Sequence, residues 1–139
     1  MTWRAALWGG PAASFVDLNP PGISNSVAYA VHGNQQVGEA SSTTILSASL
    51  WYGSAESWVD LNPPGAPGST AYGVHAGQQV GVTYPPSGGP RAALWSGTAA
   101  SYVNLHDLLP AAFTSSEARG IWHEGSTIYI AGFGRRGAG

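Results

Sequence analysis

Short runs of alternating apolar and polar residues, broken by glycine and proline, set the character of this chain. In Phe15-Val16-Asp17-Leu18 the residues Val16 and Leu18 share one face and Phe15 and Asp17 the other, the period of two that marks a strand. Asn19-Pro20-Pro21-Gly22 then ends the run, because proline removes a ladder donor and glycine supplies turn geometry. A second run, Val27 to His32, is followed by Gly33-Asn34, a two-residue hairpin signal, and then by Gln35 to Ala40. With Ala5 to Trp8 ahead of them, these runs predict four short strands. No window sustains a helical period, so helix content is expected to be close to nil.

The four-strand pattern recurs. Ala5-Ala6-Leu7-Trp8 returns as Ala48-Ser49-Leu50-Trp51 and as Ala92-Ala93-Leu94-Trp95. Ser14-Phe15-Val16-Asp17-Leu18-Asn19-Pro20-Pro21-Gly22 returns as Ser57-Trp58-Val59-Asp60-Leu61-Asn62-Pro63-Pro64-Gly65, and in looser form as Ser101-Tyr102-Val103-Asn104-Leu105. Ser26 to His32 matches Ser69 to His75, and Gln35-Gln36-Val37-Gly38 matches Gln78-Gln79-Val80-Gly81, with Ala76-Gly77 a weaker hairpin signal between them. The expected organisation is one repeat domain over 1–139, with repeats at about 4–46, 47–90 and 91–134 and a tail at 135–139. The third unit drifts: Leu108 to Phe113 reads as an insertion, and its last strand is expected over Thr127 to Gly132. Terminal units often diverge because they face a different neighbour.

Composition sharpens the picture. Only 9% of the 139 residues are charged, lysine is absent, and 20 Gly and 10 Pro accompany 15 aromatic residues. That mixture suits many short strands joined by tight turns and is too aromatic for a disordered chain. A formal charge of −2 offers no basic stripe for nucleic acid. Without cysteine, disulfide and thiolate chemistry are excluded. The first ten residues lack the basic and apolar regions of a signal peptide, and no apolar run reaches membrane-helix length, so a soluble chain with no membrane span is expected.

At the Ala-x-Leu-Trp, Asp-Leu, Ser-x-Ala and Val-Gly landmarks the chain resembles bacterial β-propeller-type repeat proteins, including the probable extracellular repeat family named for the motif His-Ala-Phe. The resemblance covers nearly the whole chain and implies an extracellular, all-β protein of four-stranded blades; it transfers no active site. Asn104 in place of the repeated Asp, the missing Gln-Gln pair in unit three and the presence of only three units are departures from the pattern. Propellers close with four to eight blades, so three units imply a half-propeller completed by oligomerisation, a dimer giving six. The alternative is a β-trefoil, which closes with three four-stranded units in one chain.

Candidate chemistry is sparse. Trp8, Trp51 and Trp95 are expected to be buried signature residues of each unit, because an indole gains most when it packs. Asp17 and Asp60 are expected to accept hydrogen bonds from turn amides. Phe15, Trp58 and Tyr102 stand out of phase with the inward residues and are candidate sugar-stacking platforms. His32 and His75 lack companions at zinc-ligand spacing, so no metal is expected. His106-Asp107 and Trp122-His123-Glu124, near Glu117 and Arg119, occur only where the repeat breaks and form the other candidate site. Gly132-Phe133-Gly134-Arg135-Arg136-Gly137 matches a dinucleotide fingerprint without the helix its chemistry requires. No nucleophile elbow or metalloprotease motif is present, and no cofactor is implied. The sequence therefore points to a non-enzymatic interaction or self-assembly module, partnered by its own copies or another protein. A lectin-like glycan binder is the alternative, and a glycosidase using Glu117, Glu124 or Asp107 the weakest reading.

Overall fold

The computed structural model describes residues 1–10 and 14–138. Among them are twelve strands, three single-turn 3-10 helices and no α-helix, so the chain is all-β. In order the strands are β1 Ala6–Trp8, β2 Phe15–Asp17, β3 Asn25–His32, β4 Gln35–Ser41, β5 Leu46–Trp51 and β6 Val59–Asp60. Then follow β7 Gly68–His75, β8 Gln78–Tyr84, β9 Arg91–Trp95, β10 Val103–Asn104, β11 Phe113–Glu124 and β12 Thr127–Arg136. They assemble into four antiparallel sheets: β1-β2, β3-β4-β5-β6, β7-β8-β9-β10 and β11-β12.

These sheets do not coincide with the sequence repeats. Each complete sheet takes its first two strands from one unit and its last two from the next, and a two-stranded half-sheet is left at either end. The physical reason lies in the connections. Ser42–Ile45 links β4 to β5 tightly, with Ser42 N–H donating to the Ile45 carbonyl, so these strands pair although they belong to different units. Asn19-Pro20-Pro21-Gly22 and its copy cannot extend a ladder, so the chain leaves one sheet there and enters the next. The third unit differs similarly from expectation. Leu105–Leu108 is a 3-10 turn, β11 begins at Phe113, and β12 runs on to Arg136 through part of the expected tail; Gly139 lies outside the described residues.

The sheets stack face to face in chain order, with β7 lying across β3, β4 and β5, and β11 across β7, β8 and β9. Between the two complete sheets lies the main core: Val37, Ala48, Leu50 and Leu61 on one side, Ala71, Val74, Ala93 and Trp95 on the other. A smaller cluster, Ala5 and Leu18 beneath Trp51, joins β1-β2 to the first complete sheet. Val80, Ala92 and Ala118 join the second complete sheet to β11-β12.

One repeated serine ties each sheet to the one before it. Ser26, Ser69 and Ser116 accept from the Ala5, Ala48 and Ala92 amides at 3.0, 2.9 and 3.0 Å. Ser26 and Ser69 then donate to the Asn19 and Asn62 side chains, both at 2.6 Å. A bulge recurs as well, between Ala28 and Ala30, Ala71 and Gly73, and Ala118 and Gly120. Opposite it stand Gly38, Gly81 and Gly132, where a Cβ would lie 1.8, 1.9 and 1.9 Å from the carbonyl oxygens of Val27, Thr70 and Glu117. Only glycine fits that close approach.

Trp8 corrects an expectation. Trp51 and Trp95 are wholly buried, but Trp8 is 64% exposed. Its strand pairs only with β2, without the second neighbour that β4 and β8 give its counterparts, and among the described residues no sheet lies beneath its ring.

Candidate functional site

Two clefts sit at equivalent points of the stack. The first, of about 470 Å³, has Trp58, Asp60 and Asn62 on one wall, Ile23, Ser42 and Ile45 on the other, and Pro63-Pro64-Gly65 at its rim. The second, of about 570 Å³, holds Tyr102 and Asn104 with Arg91 and Tyr84, bordered by the prolines 63, 64 and 67. Trp58 and Tyr102 are thus placed alike by the repeat. Each is half-buried and fixed by its polar end: Trp58 Nε1 donates to Ser49 Oγ at 2.9 Å, and Tyr102 Oη is 3.0 Å from Thr83 Oγ1. A ring held this way presents a rigid apolar surface beside hydrogen-bonding groups, which suits a planar or sugar-like ligand. Phe15, the third of the set, is 56% exposed and lies against Trp8 at 5.9 Å between ring centroids.

The aspartates organise the turns. Asp17 Oδ1 accepts from the Asn19 amide at 2.9 Å, Asp60 Oδ1 from the Asn62 amide at 2.8 Å, and Asn104 Oδ1 from the His106 amide at 3.0 Å. The hydrogen bond from Arg4, at 2.7 Å, and that from the Asn19 amide hold the Asp17 carboxyl below its usual range. Two positions that looked special in the sequence are repeat positions in disguise. His106 stands where Asn19 and Asn62 stand, and its Nδ1 lies 2.8 Å from Ser116 Oγ, replacing the asparagine bond. Trp122 pairs with Tyr129 as His32 pairs with Gln35 and His75 with Gln78, so it occupies the histidine position.

These rings form a stack at the hairpin ends of β3, β7 and β11. His32 and His75 are 4.0 Å apart between centroids, and His75 and Trp122 4.3 Å apart. His32 Nδ1 accepts from the Ala76 amide at 3.2 Å and His75 Nδ1 from the His123 amide at 3.0 Å. An accepting Nδ1 places the single ring proton of a neutral imidazole on Nε2. Desolvation, followed by the neighbouring His32 and His123, holds the His75 pKa below its ordinary value. No group of three or more His, Cys, Asp or Glu able to hold a metal ion occurs among the described residues.

The acidic residues at the repeat break do not converge. Glu117 is bound to Arg119, which donates from Nε at 2.8 Å and from Nη2 at 2.5 Å. The Arg119 guanidinium in turn lies 3.9 Å above the Tyr72 ring. Glu124 is exposed at the end of the same strand, seven residues on. At about 3.3 Å per residue the two lie roughly 20 Å apart along β11. Paired-carboxylate hydrolysis needs about 5–9.5 Å. Asp107 accepts from Asn104 Nδ2 at 3.3 Å, off this strand in the preceding 3-10 turn.

Sequence reasoning missed the second walls of the clefts, formed by Ile23, Ser42 and Ile45 and by Tyr84 and Arg91. Ile23 precedes β3, Ser42 and Ile45 form the β4–β5 turn, and Tyr84 and Arg91 stand in β8 and β9, so these walls come from other parts of the same complete sheets, all but Arg91 from across the boundary of the sequence repeat. No protein-family model, curated protein or solved structure matches the chain.

Proposed function

We propose that this chain is a non-enzymatic β-repeat interaction module whose working form is a homo-oligomer of propeller-type blades. The observation that carries the reading is the state of the two ends. Each is a two-stranded half-sheet, and there the chain exposes large apolar side chains whose repeat counterparts are buried, above all Trp8 at 64% against 0% for Trp51 and Trp95. Exposed apolar surface of this kind marks association. Face-to-face stacking of sheets four strands deep favours blades over the alternative trefoil, and two copies supply six blades, within the four to eight at which propellers close. The hydrogen-bonded aspartates, the Glu117–Arg119 pair and the distance from Glu117 to Glu124 leave no assembled acid–base pair among them, which favours binding over catalysis. Static light scattering tests the assembly: a mass of about 28 kDa, twice the chain's 14.2 kDa, is expected at micromolar concentration, and a species that stays at the chain mass into the hundred-micromolar range overturns it.

A lectin-like reading has one specific observation behind it, the matched Trp58 and Tyr102 clefts. Under this reading immobilised glycans bind the wild-type chain, and Trp58→Ala weakens binding at least tenfold. A glycan array on which the wild-type protein binds nothing removes it.

A further inference from the structure

The half-sheets at the two ends are complementary parts of one sheet. Resting on the self-assembly reading above, we infer that β12 of one copy pairs antiparallel with β1 of a second copy, in the register Ile130 to Trp8, Ala131 to Leu7, Gly132 to Ala6 and Phe133 to Ala5. The result is a third four-stranded sheet, β11-β12 of one copy followed by β1-β2 of the next.

Equivalence within the repeat fixes this register. Gly38, Gly81 and Gly132 each lie opposite a bulge, against the preceding strand's carbonyl, and so mark the same position of β4, β8 and β12. In the complete sheets that glycine pairs with Ser49 or Ala93, two residues before the buried Trp51 or Trp95. Two residues before Trp8 stands Ala6. Trp51 pairs with Gln36 and Trp95 with Gln79, and Ile130 is the matching residue of β12. Among the described residues, the outer edges of β1 and β12 pair with no strand. A ten-residue edge with Ile128, Tyr129 and Phe133 exposed is a surface that native sheets cover, blunt or pair.

Side-chain packing leads to the same arrangement. Trp51 rests on Ala5 and Leu18, and Trp95 shares a cluster with Ala48 and Leu61. The equivalent pair in the third unit, Ala92 and Leu105, has no Trp above it; it lines an open cleft of about 500 Å³ beside β12, with Ile130 and Phe133 on its wall. Trp8 of the second copy completes the series there. The reciprocal space lies beside β1, a cleft of about 220 Å³ lined by Leu7, Trp8, Ala28, Val31 and Gln36. It is the counterpart of the space where Val37 meets Ala71 and Val74 between the complete sheets, and Ala131 of the incoming β12 enters it. Val31 is accordingly 60% exposed, whereas its counterpart Val74 is 7% exposed. Arg4 presents no obstacle to the Arg135–Arg136 end of β12, because Asp17 already neutralises it at 2.6 Å.

The occupant is a second copy of this chain, because each end lacks the two strands that the other end carries. The contact is head-to-tail, so each copy uses both ends, and a two-copy ring leaves neither β1 nor β12 unpaired.

Engineered disulfides test the register in a chain that has no cysteine of its own. Ala131→Cys and Leu7→Cys, carried on separate chains and mixed, are expected to give a covalent dimer in high yield under mild oxidation. Ala131→Cys mixed with Ala5→Cys is two residues out of register, beyond the roughly 7 Å Cα separation a disulfide spans, and is expected to stay uncross-linked. Ala131 is exposed and Leu7 half-buried, and circular dichroism matching that of the parent verifies folding. A dimeric mass without cross-linking of the first pair, or with equal cross-linking of both, overturns the strand pairing while leaving self-assembly standing. A monomeric mass overturns both.

Discussion

At the scale of single residues, the repeat is conserved in role more than in identity. Asn19 and Asn62 accept from a serine hydroxyl, and His106 meets the same serine position through Nδ1; Asp17, Asp60 and Asn104 share one turn-capping bond. These substitutions preserve hydrogen-bonding geometry, and so His106, which reads as a site residue in the sequence, sits in the structure as a turn residue. The glycine opposite the bulge has no such latitude. At Gly81 a methyl group would lie 1.9 Å from the Thr70 carbonyl oxygen and 2.8 Å from the Ala71 Cα, both backbone atoms that cannot rotate away. Overpacking a buried site usually costs about 1–3 kcal/mol, and a backbone clash in the central sheet belongs at or beyond the top of that range. Gly81→Ala is therefore expected to lower unfolding stability by about 3 kcal/mol or more in urea titration, while Gly77→Ala, at a turn with open space around it, loses only what its φ of 81° imposes.

At the scale of elements, alternation and turn residues made nearly every strand legible. β3 and β4 lie within two residues of the expected Val27–His32 and Gln35–Ala40, because Gly33-Asn34 between two alternating runs leaves little else for the chain to do. Which strands share a sheet was hidden. The repeat boundary drawn ahead of Ala5, Ala48 and Ala92 divides β4 from β5 and β8 from β9, continuous ladders of six and five residue pairs. Sequence similarity has no phase: a cyclic pattern can be cut anywhere. The physical cut is at the double proline, whose missing amide ends hydrogen bonding and whose turn carries the chain onto the next face. The clefts were half-legible for the same reason. Trp58 and Tyr102 were visible as out-of-phase aromatics, but Ile45 and Tyr84 reach them only because each sheet pairs strands from two successive sequence units. In the third unit the pattern blurred because Trp122 took a histidine position and His106 an asparagine position, so a break in the text concealed continuity in the sheet.

At the scale of the whole molecule, identical landmarks carry different energies according to what surrounds them. Trp51 and Trp95 sit in four-stranded sheets with another sheet beneath their rings, and among the described residues Trp8 has neither. Trp51→Ala is thus expected to destabilise the folded chain by about 3–5 kcal/mol, the usual cost of emptying a core Trp site. Trp8→Ala in dilute, monomeric protein is expected to change stability by about 0.5 kcal/mol or less, as exposed positions do. Association reverses that ranking. If Trp8 seats over Ala92 and Leu105 of a neighbouring copy, it is a desolvated aromatic anchor worth about 2 kcal/mol or more at each of the two seams of a closed dimer, and its loss weakens association roughly 30-fold per seam, about a thousandfold for the dimer. Sedimentation equilibrium of the two variants separates the cases: Trp8→Ala shifts mass toward the single chain with its melting point at high dilution unchanged, whereas Trp51→Ala lowers that melting point. A Trp8→Ala chain that associates like the parent would show that the indole stays in solvent, and the inter-copy sheet would lose the side chain that seats it.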